Sequence, residues 1–178
     1  MEQMSFRMAT DADREELSAL LRLCFGTMAE DDGALSWIEG RYMVAEVRTE
    51  FMDMYRHINK RIVAMSGILS PDKSEYDGYE ISWTATLPEY RKKGLIVSIL
   101  RTLEEKLPDD GISLYCDCWR VGDNSDINLV SVMKHLGMHE VIHDRIRRQV
   151  PHNKMCKHCV HGNEAGCHCT GNLYMKER

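Results

Sequence analysis

No run of apolar residues approaches the roughly 18 that a membrane-spanning helix needs. The opening stretch MEQMSFRMATDADREE also lacks the apolar centre of a secretory leader. No membrane association is therefore expected, and a cytoplasmic location is the default expectation. An excess of positive charge is missing too. Against 23 Lys and Arg stand 28 Asp and Glu, a formal net charge of -5, which leaves no electrostatic case for general nucleic-acid binding. The basic clusters Arg91-Lys92-Lys93 and Arg145 to Arg148 are local features on an acidic chain. No internal repeat or low-complexity tract interrupts the sequence. Nor are the cysteines distributed as a disulfide framework: there are seven, an odd number, and four crowd into the last quarter of the chain.

What is present fits a soluble α/β protein. At 178 residues the chain suits one domain with a small appendage, since single cores usually run to roughly 100 to 200 residues. Hydrophobic residues at 43% and charged residues at 29% indicate neither disorder nor a membrane class. A short strand at SFRM leads to Thr10 and Asp13, spaced as a capping box with Asp in the acid position. Leu17, Leu20, Leu21 and Cys24 follow at i, i+3, i+4 and i+7, an apolar helical face. From Thr27 to Lys60 the pattern is ambiguous: Trp37, Tyr42 and Val44 point to a second helix, whereas Phe51, Met54, Tyr55 and Ile58 fit either a helix or an irregular strand. RIVAMSGILS and YEISWTATL read as strands joined by the turn-rich SPDKSEYDG, an antiparallel pair. Ile96, Ile99, Leu100, Leu103 and Leu107 predict a helix that PDDG stops, and ISLYCDCW predicts the next strand. Leu129, Val132, Met133 and Leu136 predict a short helix ended by Gly137 in a left-handed cap, and HEVIHDRIRRQV a last strand. Pro151 marks a boundary, giving a domain over 1–150 and a Cys-rich extension over 151–178.

Two stretches carry chemistry. In TATLPEYRKKGLIVSILRTLEEKL a strand ends in a basic, Gly-containing turn and becomes a helix. Amides at a helix start point outward unpaired, and the dipole adds partial positive charge, so an anion is stabilised there. Arg91, Lys92 and Lys93 oppose that dipole unless an anion compensates them, and Gly94 permits close backbone approach. In CKHCVHGNEAGCHC, Cys156 and Cys159 form C-x2-C and Cys167 and Cys169 form C-x-C. Four thiolates in close sequence can close a tetrahedral Zn2+ site with no open coordination position, so the metal is read as structural. Its role would be to fold a segment with too few apolar residues to fold itself. His152, His158, His161 and His168 leave open whether a histidine replaces one cysteine. Cys24, Cys116 and Cys118 lie in apolar segments and read as packed.

The order of elements and LPEYRKKG resemble the GNAT acyltransferase superfamily, whose pyrophosphate-binding signature is Arg or Gln, two residues, Gly, one residue, then Gly or Ala. Arg91 and Gly94 match the first two fixed positions, and Ile96 departs from the third. FRMATDAD and NLVSVMKHLGM are also similar to family segments, so the resemblance covers roughly residues 5 to 150. It implies a mixed, mostly antiparallel central sheet flanked by helices, with acetyl-CoA as co-substrate. The turn's backbone (Arg91, Lys92, Lys93, Gly94, Leu95 and Ile96) would hold the pyrophosphate, and the strand end at Thr86 and Leu87 would pair with the pantetheine arm. The acceptor would be an amine on a small molecule or a peptide. Glu80 looks like the general-base glutamate of some members. Many relatives place a tyrosine general acid four residues before the glycine that ends the later helix, and here that position is Met133, which cannot donate a proton. Tyr115 and Asn128 are the substitutes considered. Met133 and Ile96 also motivate a different reading, a non-catalytic GNAT-like module that binds CoA, or nothing, and works through its zinc-bearing extension as an interaction domain. Neither the acceptor's identity nor the oligomeric state is legible.

Overall fold

The computed structural model describes residues 2–25, 42–52, 56–120, 129–146 and 170–178. Among the described residues, seven strands and three α-helices succeed one another: β1 (Glu2–Met8), α1 (Arg14–Phe25), β2 (Tyr42–Met52), β3 (Arg56–Leu69), β4 (Tyr79–Thr86), α2 (Leu95–Glu104), β5 (Leu114–Arg120), α3 (Val130–His135), β6 (His139–Ile146) and β7 (Thr170–Lys176). The sheet order is β1-β2-β3-β4-β5-β7-β6. It is an α/β fold with a mixed, mostly antiparallel sheet flanked by helices. The chain forms two compact units, Met1–Leu69 with Ser82–Pro108, and Ser70–Ile81 with Asp109–Arg178. Strand β4 contributes its first residues to the second unit and the rest to the first.

In the first unit, β1, β2 and β3 form an antiparallel meander. Residues 42–47 and 62–67 are buried without alternation, the mark of strands covered on both faces. Helix α1 packs on β3, and α2 packs on β3 and β2. The apolar stripe of α1 sends Leu17, Leu20 and Leu21 into the core. Its start is organised by Asp13, whose carboxylate accepts the Thr10 N–H (2.8 Å) and hydroxyl (3.1 Å). The same carboxylate takes two hydrogen bonds of 2.7 Å from Arg7, which also reaches buried Glu46 at 3.0 Å. A register shift separates Ala45 from Glu46, and there the Ile62 N–H is taken by the Glu16 carboxylate.

Tyr42 and Val44, which pointed to a helix, instead lie on β2 and are fully buried. Apolar residues here are contiguous because both strand faces are covered, and contiguity hides the period that separates strand from helix. Trp37 lies outside the described residues.

In the second unit, β4 pairs with β5 in parallel at Tyr79↔Leu114 and Glu80↔Tyr115. Strand β7 runs antiparallel to both β5 and β6. The last strand expected over 139–150, observed over His139–Ile146, is therefore followed by another, and the stretch expected from 151 onward as an appendage ends inside the sheet. Gly171, Asn172, Leu173 and Tyr174 are buried there. Gly137 takes the left-handed conformation expected of it (φ 75°) after α3. Among the described residues no helix is long and apolar enough to cross a membrane.

Candidate active site

Strand β4 is held against β3 by the Leu87 N–H donating to the Val63 carbonyl (2.9 Å) and by paired hydroxyls of Ser66 and Thr84 (2.7 Å). As residue numbers rise along β4 they fall along β3, the antiparallel register expected for these two segments. Leu87 is a buried corner whose carbonyl accepts the Tyr90 N–H (2.9 Å), so both its backbone groups are engaged internally. A 3-10 turn over Pro88–Tyr90 follows, with proline where a fixed φ is preorganised and no N–H is missed. The chain then turns through Lys92 (φ 61°) and Gly94 (φ 75°) into α2.

No side chain caps α2, and its first turn contains no acid. The unpaired amides and the positive dipole end are thus left to solvent or a ligand. Arg91, Lys92, Lys93 and Gly94 are all exposed. The Thr86 carbonyl accepts Arg91 Nε at 3.2 Å and the Cys24 thiol at 3.7 Å. Lys93 Nζ sits 4.5 Å from the centre of the Tyr90 ring. Glu89, the adjacent acid, is ion-paired with Arg61 at 3.2 Å, which withdraws its charge from the turn. Ile96, the departure from the family signature, is buried with Leu95, Ile99, Leu100 and Leu103. Its side chain belongs to the core and leaves the amide edge of the turn uncovered.

One feature of β4 had no sequence signal. Trp83 has φ 44°, in the left-handed region that a bulky residue adopts only under strain. Its ring meets Phe25 edge-on at 5.3 Å. Within YEISWTATL this residue reads as an ordinary β-former, so the kink escapes a propensity reading.

Glu80 and Tyr115 are brought together as register partners on parallel strands. Glu80 Oε2 accepts the Ser74 hydroxyl at 3.1 Å and the Glu75 N–H at 2.9 Å, so the polar turn before β4 grips one carboxylate oxygen. The Tyr115 ring stacks on Tyr76 (5.3 Å, 20° between planes). The Tyr76 hydroxyl donates to Asp117 Oδ2 at 2.6 Å. Gly78 makes room for this arrangement: a Cβ there would lie 2.5 Å from the Ser113 carbonyl oxygen and 2.6 Å from the Tyr115 ring. On β5, Cys116 and Cys118 are buried with their sulfurs 3.8 Å apart. The hydrogen bond to Cys118, then burial, pushes the Cys116 thiol well above its usual range, and both are packed residues as expected.

Met133, the position that the resemblance sets against a tyrosine, is fully buried in the core. Asn128 lies outside the described residues, as do Cys156, Cys159, Cys167 and Cys169. Among the described residues no group of three metal-binding side chains occurs.

Residues 14–137 match the acetyltransferase (GNAT) family. The chain belongs to that family. The matched span contains β4, the basic turn, α2, Glu80 and Tyr115. Comparison with curated proteins finds no match. Among solved structures, the GNAT fold recurs in Arabidopsis thaliana NAA60 in complex with acetyl-CoA, with a TM-score of 0.62, 14% identity, and 98% of each chain covered. It recurs also in the ribosomal-protein-S18-alanine N-acetyltransferase of Escherichia coli, with a TM-score of 0.60, 13% identity, and 98% of this chain and 94% of that one covered. The aminoglycoside 6'-N-acetyltransferase of Enterococcus faecium gives a TM-score of 0.57 at 14% identity, covering 97% of this chain and 96% of that one.

Proposed function

We propose that this GNAT protein transfers the acetyl group of acetyl-CoA to an amine on a small molecule or a peptide. The observation that carries the reading is the start of α2, uncapped and acid-free, entered through left-handed Gly94 and flanked by three exposed cations. A diphosphate supplies the charge that this arrangement lacks. The amides from Lys92 to Ile96 are its ligands, with Arg91 and Lys93 adding charge. Leu87 has both backbone groups engaged, and successive residues of a strand direct theirs to opposite edges. Thr86 faces away from β3, and with its carbonyl taken by Arg91 and Cys24 its N–H is the candidate for the pantetheine arm.

In the chemical step the amine nitrogen attacks the thioester carbonyl carbon and the carbon–sulfur bond breaks. The amine's proton passes to Glu80, directly or through water, and the thiolate takes a proton from Tyr115 or solvent. Glu80 Oε1 has no hydrogen bond among the described residues, while Oε2 is held by the turn. That leaves one oxygen of an oriented carboxylate for proton transfer.

Calorimetric titration with acetyl-CoA, beside an Arg91→Glu/Lys93→Glu variant, tests the cofactor site. Saturable binding that the variant loses is the expected result. Absence of binding by folded wild type overturns the transferase reading and favours an interaction module.

We further read Cys156, Cys159, Cys167 and Cys169 as ligands of a structural Zn2+. Strands β6 and β7 pair at Ile146↔Thr170, so residues 147–169 join two antiparallel neighbours where two to five residues commonly suffice. A metal bound within that connection shortens its free length and lowers the entropy of closing it.

A further inference from the structure

We propose that Ser74 is a positioning residue for acyl transfer, orienting Glu80 so that Oε1 is the oxygen presented for the proton. The proposal rests on Glu80 acting as general base. Its ground is the hydrogen-bond order of the turn before β4. The Ser74 oxygen accepts the Tyr76 N–H at 2.9 Å, which directs its single proton to Glu80 Oε2 at 3.1 Å. The Glu75 N–H, at 2.9 Å, occupies the same carboxylate oxygen. Ser74 is itself fixed by its N–H to the Ser70 carbonyl at 3.0 Å. A carboxylate held through one oxygen by a hydroxyl and an amide keeps its rotamer, and its second oxygen stays unencumbered.

The same serine ties this arrangement to Tyr115. Tyr76, whose amide it accepts, stacks on Tyr115 and donates to Asp117. Replacing Ser74 with alanine removes one of the two donors to Glu80 Oε2 and the acceptor of the Tyr76 N–H, while the Glu75 amide stays on the carboxylate and the Tyr76 hydroxyl on Asp117. The titratable groups around Glu80 are Glu75 and Tyr76 of the turn and Tyr115, Cys116 and Asp117 of β5.

The experiment compares wild type with Ser74→Ala, Ser74→Thr and Glu80→Gln. Acetyl-CoA turnover is followed with a panel of spermidine, an aminoglycoside and a peptide with a free N-terminal alanine. Glu80→Gln is expected to lower turnover about 100- to 10,000-fold and to leave acetyl-CoA binding in place. Ser74→Ala is expected to lower kcat about tenfold, with KM for acetyl-CoA unchanged, because one charge-assisted hydrogen bond is lost. Ser74→Thr, which keeps the hydroxyl, restores kcat. An unaltered kcat in Ser74→Ala, with Glu80→Gln impaired, overturns the positioning role and spares the base. Full turnover in Glu80→Gln overturns the base, and wild type inactive across the panel overturns the transferase reading; the positioning role falls with either.

Discussion

Acid sensitivity of the first unit follows from the contact between Arg7 and Asp13. Two hydrogen bonds of 2.7 Å from the guanidinium, helped by the Thr10 N–H, hold the Asp13 carboxyl down from 3.8 to about 2. At about 1.36 kcal/mol per pH unit this corresponds to about 2 kcal/mol of folded-state stability. The Arg7 side chain is 36% exposed, so water screens the pair and the measurable figure falls toward about 1 kcal/mol. Because the folded carboxyl is the stronger acid, the contribution is complete above the unfolded value near 4 and disappears as pH falls through about 2. Asp13→Asn should therefore be less stable than wild type by about 1 to 2 kcal/mol near neutrality. The gap should close as acid protonates the wild-type carboxyl. Paired urea denaturation curves of the two proteins along a pH series measure the gap directly, and other carboxylates cancel because they are common to both. A gap that stays constant from neutrality to about pH 2, or widens in acid, refutes the linkage.

At the alkaline end, burial and then the Glu140 carboxylate, which accepts its hydroxyl at 3.0 Å, push Tyr174 from 10.0 up to about 12. Its contribution is complete below pH 10 and lost as pH rises through about 12; Tyr174→Phe should remove that limb from the stability profile, and an unchanged limb assigns it elsewhere. Gly78→Ala forces a Cβ to within 2.5 Å of the Ser113 carbonyl oxygen, for which about 1 to 3 kcal/mol and a melting shift of about 2–4 °C per kcal/mol are expected. Gly94→Ala meets nothing within 4 Å and should cost only the left-handed backbone, about 1 kcal/mol; a larger melting shift for Gly94→Ala would reverse the reasoning. Purified protein should carry about one zinc per chain, and chelation should expose residues 151–169 to protease. Metal-free protein whose protease resistance is indifferent to chelator removes the zinc reading.

Much of the fold was legible where a helix has one covered face. The stripe of α1 and that of α2 are both buried as their spacing implies. Legibility failed where a strand is covered on both faces, because burial then erases alternation. Tyr42 and Val44 on β2 were read toward a helix for that reason. Strand β7 failed differently. TGNLYMK follows a long polar, Cys-rich connection, and its neighbours β5 and β6 lie far back in sequence. Nothing local announces a strand whose pairing is entirely non-local.

The candidate site divides along the same line. The basic turn is written contiguously, since a helix start, its glycine and its cations are adjacent in sequence, and the geometry adds the missing cap and the burial of Ile96. The grip on Glu80 is also local, spanning six residues from Ser74, yet SPDKSEYDG advertises only a turn. Turn-forming Ser and Asp side chains usually bond to their own backbone, as Ser74 does in accepting the Tyr76 N–H, so its further donation to a carboxylate at the start of the next strand is visible only once β4 sets where that carboxylate lies. The strain at Trp83 is the extreme case, since its residue type argues for the ordinary strand conformation that it does not adopt. Under the role proposed for Ser74, substitution there separates the orientation of Glu80 from the fold, whereas Trp83 marks strain within β4 that no local propensity announces.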